Sequence, residues 1–296
     1  MTAFASLGFI GLGVMGEGMA ANVVAKAGVP VYGFDLDAGK VDRLSRAGMI
    51  GCASVEEVAD AAELVFLSLP AAAQVSEVCD RLLAAPGRLR AVVDMSTAPA
   101  SLARSLNARC AASGLDFIDA PVARLRQAAR DGTLSIMVGA TPEQFTAIEP
   151  YLRFMGSDVS HCGPSGSGQV VKILNNMVVF MTVHALAEAL AVGRAQGLDG
   201  KTLFDVLSLG SADSFMLRNA GMGALVPEVF PPATFPTTYA LKDIGYALDL
   251  AEEVQLDLPG AHATQALLEA TRGAGFEREY YPVFLKLLQR RREAAP

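Results

Sequence analysis

The 296-residue sequence is short of the side chains that staple small folds or build metal centres. Its four cysteines, Cys52, Cys79, Cys110 and Cys162, are scattered with no C-x-x-C spacing, so neither a disulfide framework nor a zinc site is signalled. Free thiols in a reducing cytoplasm are the expectation. Histidine is scarcer still. His161, His184 and His262 have no suitably spaced acid beside them and read as structural. Basic charge is also in deficit, with 24 Lys and Arg against 31 Asp and Glu and a net charge of −7. That balance argues against nucleic acid or an anionic membrane as the main partner. No basic leader precedes the first strand-like segment, which again points to the cytoplasm. The most apolar stretch, residues 177–187, is broken by His184 and is shorter than the roughly 20 residues of a membrane span, so it reads as part of a buried core helix. There is no internal repeat and no low-complexity tract.

What is present is apolar: 52% hydrophobic residues against 19% charged, a composition that packs a substantial core. The first half alternates short β-rich runs (7–10, 31–34, 64–69, 91–94, 117–119 and 134–138) with alanine-rich helical stretches such as 15–26 and 101–113. That alternation is the mark of an α/β, Rossmann-type doubly wound parallel sheet. The texture changes after the small-residue segment 161–168. From Gln169 to Arg194 runs one long apolar helix without a breaker before Gly193, and further helical patterns follow at 203–207, 244–254, 261–270 and 281–292. The expected organisation is a dinucleotide-binding domain over residues 1–163 and an all-helical domain over 164–296. A helix apolar on nearly every side is buried in its own domain or against a partner subunit.

Residues 7–10 lead into Gly11-Leu12-Gly13-Val14-Met15-Gly16 and then a helix. At a βα turn the first glycine permits the tight turn, the second lets backbone approach a pyrophosphate, and the third lets helix and strand pack closely. The helix N-terminus then offers N–H groups and partial positive charge to the phosphates. Asp35 follows at the end of the second strand, placed to accept from ribose hydroxyls. A carboxylate there repels a 2′-phosphate, and no Arg follows directly in Asp35-Leu36-Asp37, so NAD is expected over NADP.

Lysine is the rarer cation here, six against eighteen arginines, so a Lys in an unusual setting is informative. Lys172 is expected in the first turn of the long helix, just after the glycine-rich segment. Burial would lower its pKa toward the working pH, where an amine can both donate and accept a proton. Asn176, four residues on, shares its helical face and can hold a substrate hydroxyl or carbonyl beside it. The competing reading is a Lys that reaches solvent from a core helix.

Together these segments resemble the β-hydroxyacid dehydrogenase family, of the 3-hydroxyisobutyrate dehydrogenase and tartronate semialdehyde reductase type. The opening Gly8 to Gly16 is similar to the family's first signature. Asp119-Ala120-Pro121-Val122 with Gly132-Thr133-Leu134 resembles its substrate loop. Gly163 to Asn176 resembles its catalytic motif, and Lys242-Asp243-Ile244-Gly245 a fourth. The resemblance implies a Rossmann domain followed by an all-helical one, with the active site in the cleft between them. Lys172 would be general acid in aldehyde reduction and general base in alcohol oxidation. It further implies that Leu69, Pro70, Ser96 and Thr97 line the cofactor crevice, that Lys242 approaches the nicotinamide or substrate, and that Phe235 walls the pocket. The substrate is expected to be a small anionic hydroxyacid or its semialdehyde. An imine-reducing relative and a non-catalytic dinucleotide-binding protein are the alternatives, and the intact Lys172 speaks against both.

One departure stands out. Where the family has Ser-Gly-Gly after Asp-Ala-Pro-Val, this chain has Ala123-Arg124-Leu125. A guanidinium at position 124 can offer two parallel N–H donors to a carboxylate, sulfonate or phosphate, and the loop resembles that of sulfolactaldehyde reductase. Val122, Ala123 and Arg124 are therefore expected to receive the substrate's acid group. So apolar a helical domain also implies a homodimer or homotetramer.

Overall fold

The computed structural model describes residues 4–85, 87–232 and 234–293. The chain divides into two compact units, residues 1–172 and 173–296.

The first unit is built on a nine-stranded sheet. Its strands are β1 (Leu7–Ile10), β2 (Val31–Phe34), β3 (Ile50–Gly51), β4 (Leu64–Leu67), β5 (Ala91–Asp94), β6 (Asp116–Asp119), β7 (Val122–Ala123), β8 (Leu134–Gly139) and β9 (Gly156–Gly163). They lie in the order β3-β2-β1-β4-β5-β6-β8-β7, with β9 also pairing β8. The run from β3 to β6 is parallel. Strand β1 pairs with both β2 and β4, so the strand order reverses beside it and opens a crevice at the strands' carboxyl ends. Strands β1, β4 and β5 are buried along their whole length, as a sheet covered on both faces requires. The sequence pattern is departed from at the far edge, where β8 runs antiparallel to β6 and β7 while β9 runs parallel to β8. Strand β9 has largely exposed polar residues and no hydrophobic alternation, so the small-residue segment from 161 begins inside a strand rather than in a linker. Two apolar cores flank the sheet, one around Phe9, Phe66 and Met19, the other around Phe117, Leu82 and Val58.

Between the strands run α1 (Gly16–Lys26), α2 (Ala38–Ser45), α3 (Val55–Ala61), α4 (Ala72–Ala84), α5 (Ala100–Ala112), α6 (Arg126–Asp131) and α7 (Pro142–Leu152). Helix α8 (Ser167–Ala195) crosses the division, which falls between Lys172 and Ile173. It starts earlier than its apolar pattern suggests and continues through Gly193. At 29 residues it is long and apolar enough to cross a membrane by length and composition, which the 177–187 run alone did not indicate. Phe180, Val183, Ala187 and Leu190 instead lie in the core of the second unit.

The second unit continues with α9 (Gly200–Leu207), a π-helical stretch (Leu217–Leu225), α10 (Thr237–Glu253), α11 (Pro259–Gly273), a 3₁₀ turn (Tyr281–Phe284) and α12 (Leu285–Glu293). The π-helical stretch has no counterpart in the sequence pattern. The core of this unit is rich in aromatic rings, with Phe180, Phe235 and Tyr281 mutually within 5.1–6.1 Å.

Candidate active site

The β1–α1 turn has the form of a phosphate cradle. Gly11 has φ +93°, and a Cβ there would meet the Ser68 carbonyl oxygen at 2.3 Å. A Cβ on Gly16 would meet the Gly11 carbonyl oxygen at 2.0 Å, so the turn closes only on two glycines. Gly13 is different: nothing lies within 4 Å of where its Cβ would be. The turn is thus tight on its protein side and open on the side of the second glycine. Helix α1 receives no side-chain cap at Met15, and within its first turn the Glu17 N–H is taken up by the Gly13 carbonyl at 3.0 Å. These features fit a dinucleotide pyrophosphate.

Asp35, just beyond β2, braces the cradle. Its Oδ2 accepts from the Leu12 N–H at 2.6 Å, and its Oδ1 accepts from the Asp37 N–H at 2.9 Å and from Lys40 Nζ at 3.2 Å. Burial works to raise this carboxyl, but the Asp37, Leu12 and Lys40 donors outweigh it and hold it below the usual carboxylate range. Lys40 is a residue the sequence pattern did not single out. It sits on α2, in salt-bridge contact with Asp35, and places positive charge where the Asp35-Leu36-Asp37 run contains none.

Next to the cradle, the ends of β4 and β5 are tied to each other and to α8. The Leu69 N–H donates to Ser96 Oγ at 2.9 Å, and the Ser96 N–H to Asp94 Oδ1 at 3.0 Å. Gln169, fully buried in the first turn of α8, donates from Nε2 to the Ser96 carbonyl at 2.8 Å and accepts at Oε1 from the Ala98 N–H at 3.1 Å. Thr97 lies between those two contacts.

The start of α8 is held by Asp119, at the end of β6 and completely buried. Its carboxylate accepts from the Gly166 N–H at 2.7 Å and the Gln169 N–H at 2.9 Å, capping the helix from a distant strand. Burial pushes its pKa up, and the N–H donors of Gly166 and Gln169 oppose but do not cancel that push. The packing admits no side chain on Gly168, whose Cβ would meet the Met137 carbonyl oxygen at 2.3 Å and Asp119 Oδ2 at 2.9 Å. Because α8 begins at Ser167, Lys172 falls in its second turn rather than its first, half-buried.

In the second unit Asn176, one turn beyond Lys172 on α8, donates from Nδ2 to Asp243 Oδ2 at 2.6 Å. Both residues are buried. Asp243 Oδ1 has Lys242 Nζ at 3.2 Å, close enough for an ion pair but without hydrogen-bond geometry. Lys242 also stands over the rings of Tyr239 and Tyr246, 5.7 and 5.5 Å from their centroids. The Lys242-Asp243 motif is visible in the sequence, but the partnership of Asp243 with Asn176 spans 67 residues and is not. Phe235 is half-buried and packs against Phe180, Tyr239 and Tyr281.

The 122–124 segment forms β7 and the turn after it. Arg124 adopts φ +82°, a left-handed conformation that favours glycine, which accounts physically for the glycine of the resembled motif. Its guanidinium pairs with Asp158 at 2.6 Å and donates to Ser157 Oγ at 2.9 Å and to the Thr133 carbonyl. Arg126 and Arg130 lie on α6. Of the histidines, His161 contacts the Ala140 carbonyl and stacks on Phe145, while His184 contacts Thr264. Contrary to the expectation from sequence, two of them do have an acid within reach: His184 lies 3.4 Å from Glu188, one helical turn on, and His262 lies 3.6 Å from Asp257. All four cysteines are free.

Residues 6–163 match the family of the NAD-binding domain of 6-phosphogluconate dehydrogenase, and residues 166–281 that of the NAD-binding region of NADP-dependent 3-hydroxyisobutyrate dehydrogenase. Among curated proteins the chain is 34% identical over 288 residues to 2-(hydroxymethyl)glutarate dehydrogenase of Eubacterium barkeri, covering 95% of this chain and 94% of that protein. It is 36% identical over 284 residues to 3-hydroxyisobutyrate dehydrogenase of Pseudomonas aeruginosa, covering 92% and 94%. Among solved structures it resembles 3-hydroxyisobutyrate dehydrogenase of Mycobacterium tuberculosis with L-serine, at TM-score 0.85 and 28% identity over 96% of this chain and 99% of that one.

Proposed function

Starting from the fact that this chain belongs to the β-hydroxyacid dehydrogenase family, whose members transfer hydride between a nicotinamide dinucleotide and a small hydroxyacid, we propose that Lys172 is its general acid and base. A nicotinamide dinucleotide held by the cradle residues would supply or accept the hydride. In the oxidative direction Lys172 takes the proton of the substrate hydroxyl as the carbinol C–H bond breaks and the carbonyl forms; in reduction it returns that proton to the alkoxide oxygen. Asn176 holds the same oxygen. Its Nδ2 is oriented by Asp243.

The observation that carries this reading is the placement of Lys172. It lies in the second turn of a helix whose start Asp119 and Gln169 fix against the ends of β5 and β6, in the same compact unit as the open cradle over Gly13. Gly11, Leu12, Gly13, Val14, Met15 and Gly16 would hold the pyrophosphate and Asp35 the adenosine ribose, with Leu69, Pro70, Thr97 and Lys242 completing the cofactor site. NAD is the proposed cofactor. The ionised Asp35 opposes a 2′-phosphate, while Lys40 at 3.2 Å weakens that opposition, so discrimination is expected to be moderate. Val122, Ala123 and Arg124 are assigned the substrate's acid group and Phe235 its apolar side. Arg124 would exchange its exposed pairing with Asp158 for the substrate anion, since exposed ion pairs contribute only about 0–1 kcal/mol. A homo-oligomer is proposed because α8 leaves Val178 and Val192 57% and 62% exposed. The free cysteines support a reducing, cytoplasmic compartment.

The test is oxidation of 3-hydroxyisobutyrate, L-serine and 2-(hydroxymethyl)glutarate, and reduction of tartronate semialdehyde, each with NAD and NADP forms of the cofactor. With the best pair, Lys172→Ala should lower turnover at least about 100-fold and leave NADH affinity nearly unchanged. Normal turnover in that variant overturns the assignment.

A further inference from the structure

The side chain of Gln169 makes a contact that helix stability does not require. The helix start is already satisfied by Asp119, which accepts the backbone N–H groups of Gly166 and Gln169. The Gln169 amide is turned instead onto another segment. Its Nε2 donates to the Ser96 carbonyl and its Oε1 accepts from the Ala98 N–H, so one planar group grips the peptide on both sides of Thr97. Ser96 in turn accepts at Oγ from the Leu69 N–H. A single amide therefore ties the ends of β4 and β5 to the helix that carries Lys172 three residues later. Gln169 is completely buried and Ser96 nearly so, which makes the geometry insensitive to water. Neither close analogue could substitute: Glu would set a carboxylate oxygen against the Ser96 carbonyl, and Asn is one methylene too short to reach both groups.

We propose that Gln169 is a positioning residue that fixes the Thr97 loop in register with the start of α8, so that cofactor and proton donor are set by one contact. This rests on the assignment of Thr97 to the cofactor and of Lys172 to proton transfer. Gln169 touches neither substrate nor reacting atoms and acts through Thr97 and the helix.

The test is a double-mutant cycle between Gln169→Leu and Thr97→Ala, read by NADH fluorescence titration, turnover on the best substrate of the panel, and thermal unfolding. Gln169→Leu is expected to raise the NADH Kd about tenfold and to lower kcat about 30-fold, because two buried hydrogen bonds are lost and the loop is released. Adding Thr97→Ala should then change Kd less than about twofold, since the loop has already lost its placement. Gln169→Glu, which keeps an acceptor for the Ala98 N–H but sets a carboxylate oxygen against the Ser96 carbonyl, should raise Kd at least as much as Gln169→Leu; Gln169→Met carries the same cycle if the leucine variant does not fold. Additive losses in Kd, or a lower melting temperature with Kd and kcat unchanged, overturn the proposal. Lys172→Ala separates the two readings. If that variant turns over normally, the role of Lys172 falls, while the Kd cycle still decides whether Gln169 acts on Thr97.

Discussion

Two glycine-rich segments open helices in the N-terminal unit, and in the sequence they look alike: Gly11 to Gly16 before α1, and Gly163 to Gly168 before α8. Each follows a strand, and each packs backbone too closely for side chains. They differ in what meets the helix start. Above Gly13 there is open space and α1 has no side-chain cap. Around Gly168 the space is filled by the Met137 carbonyl and the Asp119 carboxylate, which caps α8 from within. A glycine-rich helix start can thus receive an anion or be closed by one the protein supplies. The first is a binding site, and the second is a fixed mount for Lys172.

The same substitution therefore has different consequences at the two places. Gly168→Ala should cost about 3 kcal/mol, because its Cβ cannot avoid backbone oxygen, and saturating NADH should not restore the lost specific activity. Chemical denaturation with and without cofactor measures it; a variant as stable as wild type would show that the second mount is looser than described. Gly13→Ala should fold with unchanged stability and bind NADH about 10- to 100-fold more weakly, read by fluorescence titration. Unchanged affinity would mean that the phosphates do not approach there.

A third experiment sharpens the cofactor side. Asp35→Ala should weaken NADH binding by about 1–2 kcal/mol and NADPH binding by less, since it removes acceptors from one and a repulsion from the other. It also removes the brace on the Leu12 N–H, so some loss for both is expected. Replacing Lys40 by Ala should shift preference further toward NADH; a shift toward NADPH would contradict the role given to that cation.

The smallest effect is on acid stability, and its sign differs between the two segments. The Asp35 carboxyl is held below its usual value, so its contribution is present above about pH 4 and is lost as pH falls through its lowered pKa. That of Asp119 is raised, so the folded state takes up its proton first, and stability at this site falls as pH rises from about 4 through the raised pKa. Melting temperatures measured from pH 3 to 7 should therefore show Asp35→Asn flattening the acid loss and Asp119→Asn steepening it. Identical profiles for the two variants would remove the electrostatic half of the comparison.

Much of this was legible along the chain. The cradle, Asp35, the parallel half of the sheet and the long helix with Lys172 and Asn176 on one face all follow from local pattern. The mixed edge was not, because β7 is two residues long and β9 is polar and exposed. Nor was the Lys40 contact, since a Lys on a short amphipathic helix carries no sign of where it leans. Asp119 and Gln169 were hidden in a different way. Both lie within motifs that the sequence displays, yet their partners are 47 to 73 residues distant, and a capping carboxylate looks the same as a substrate ligand until those partners are known. Arg124 reads as a free fork for an anion; Asp158 and Ser157, brought beside it by the pairing of β8 with β9, already occupy it.

The sequence by itself determined the turn that can cradle a phosphate, the helix that presents an amine and an amide on one face, and the class of unit each belongs to. These depend on backbone conformation and periodicity, which are set within a turn or two of chain. Only the tertiary structure decided which glycine-rich start is open and which is filled, where Asn176 sends its amide, and what holds Lys172 in place. Those outcomes rest on buried hydrogen bonds between groups far apart in the chain, whose free energy depends on excluding water from both partners at once.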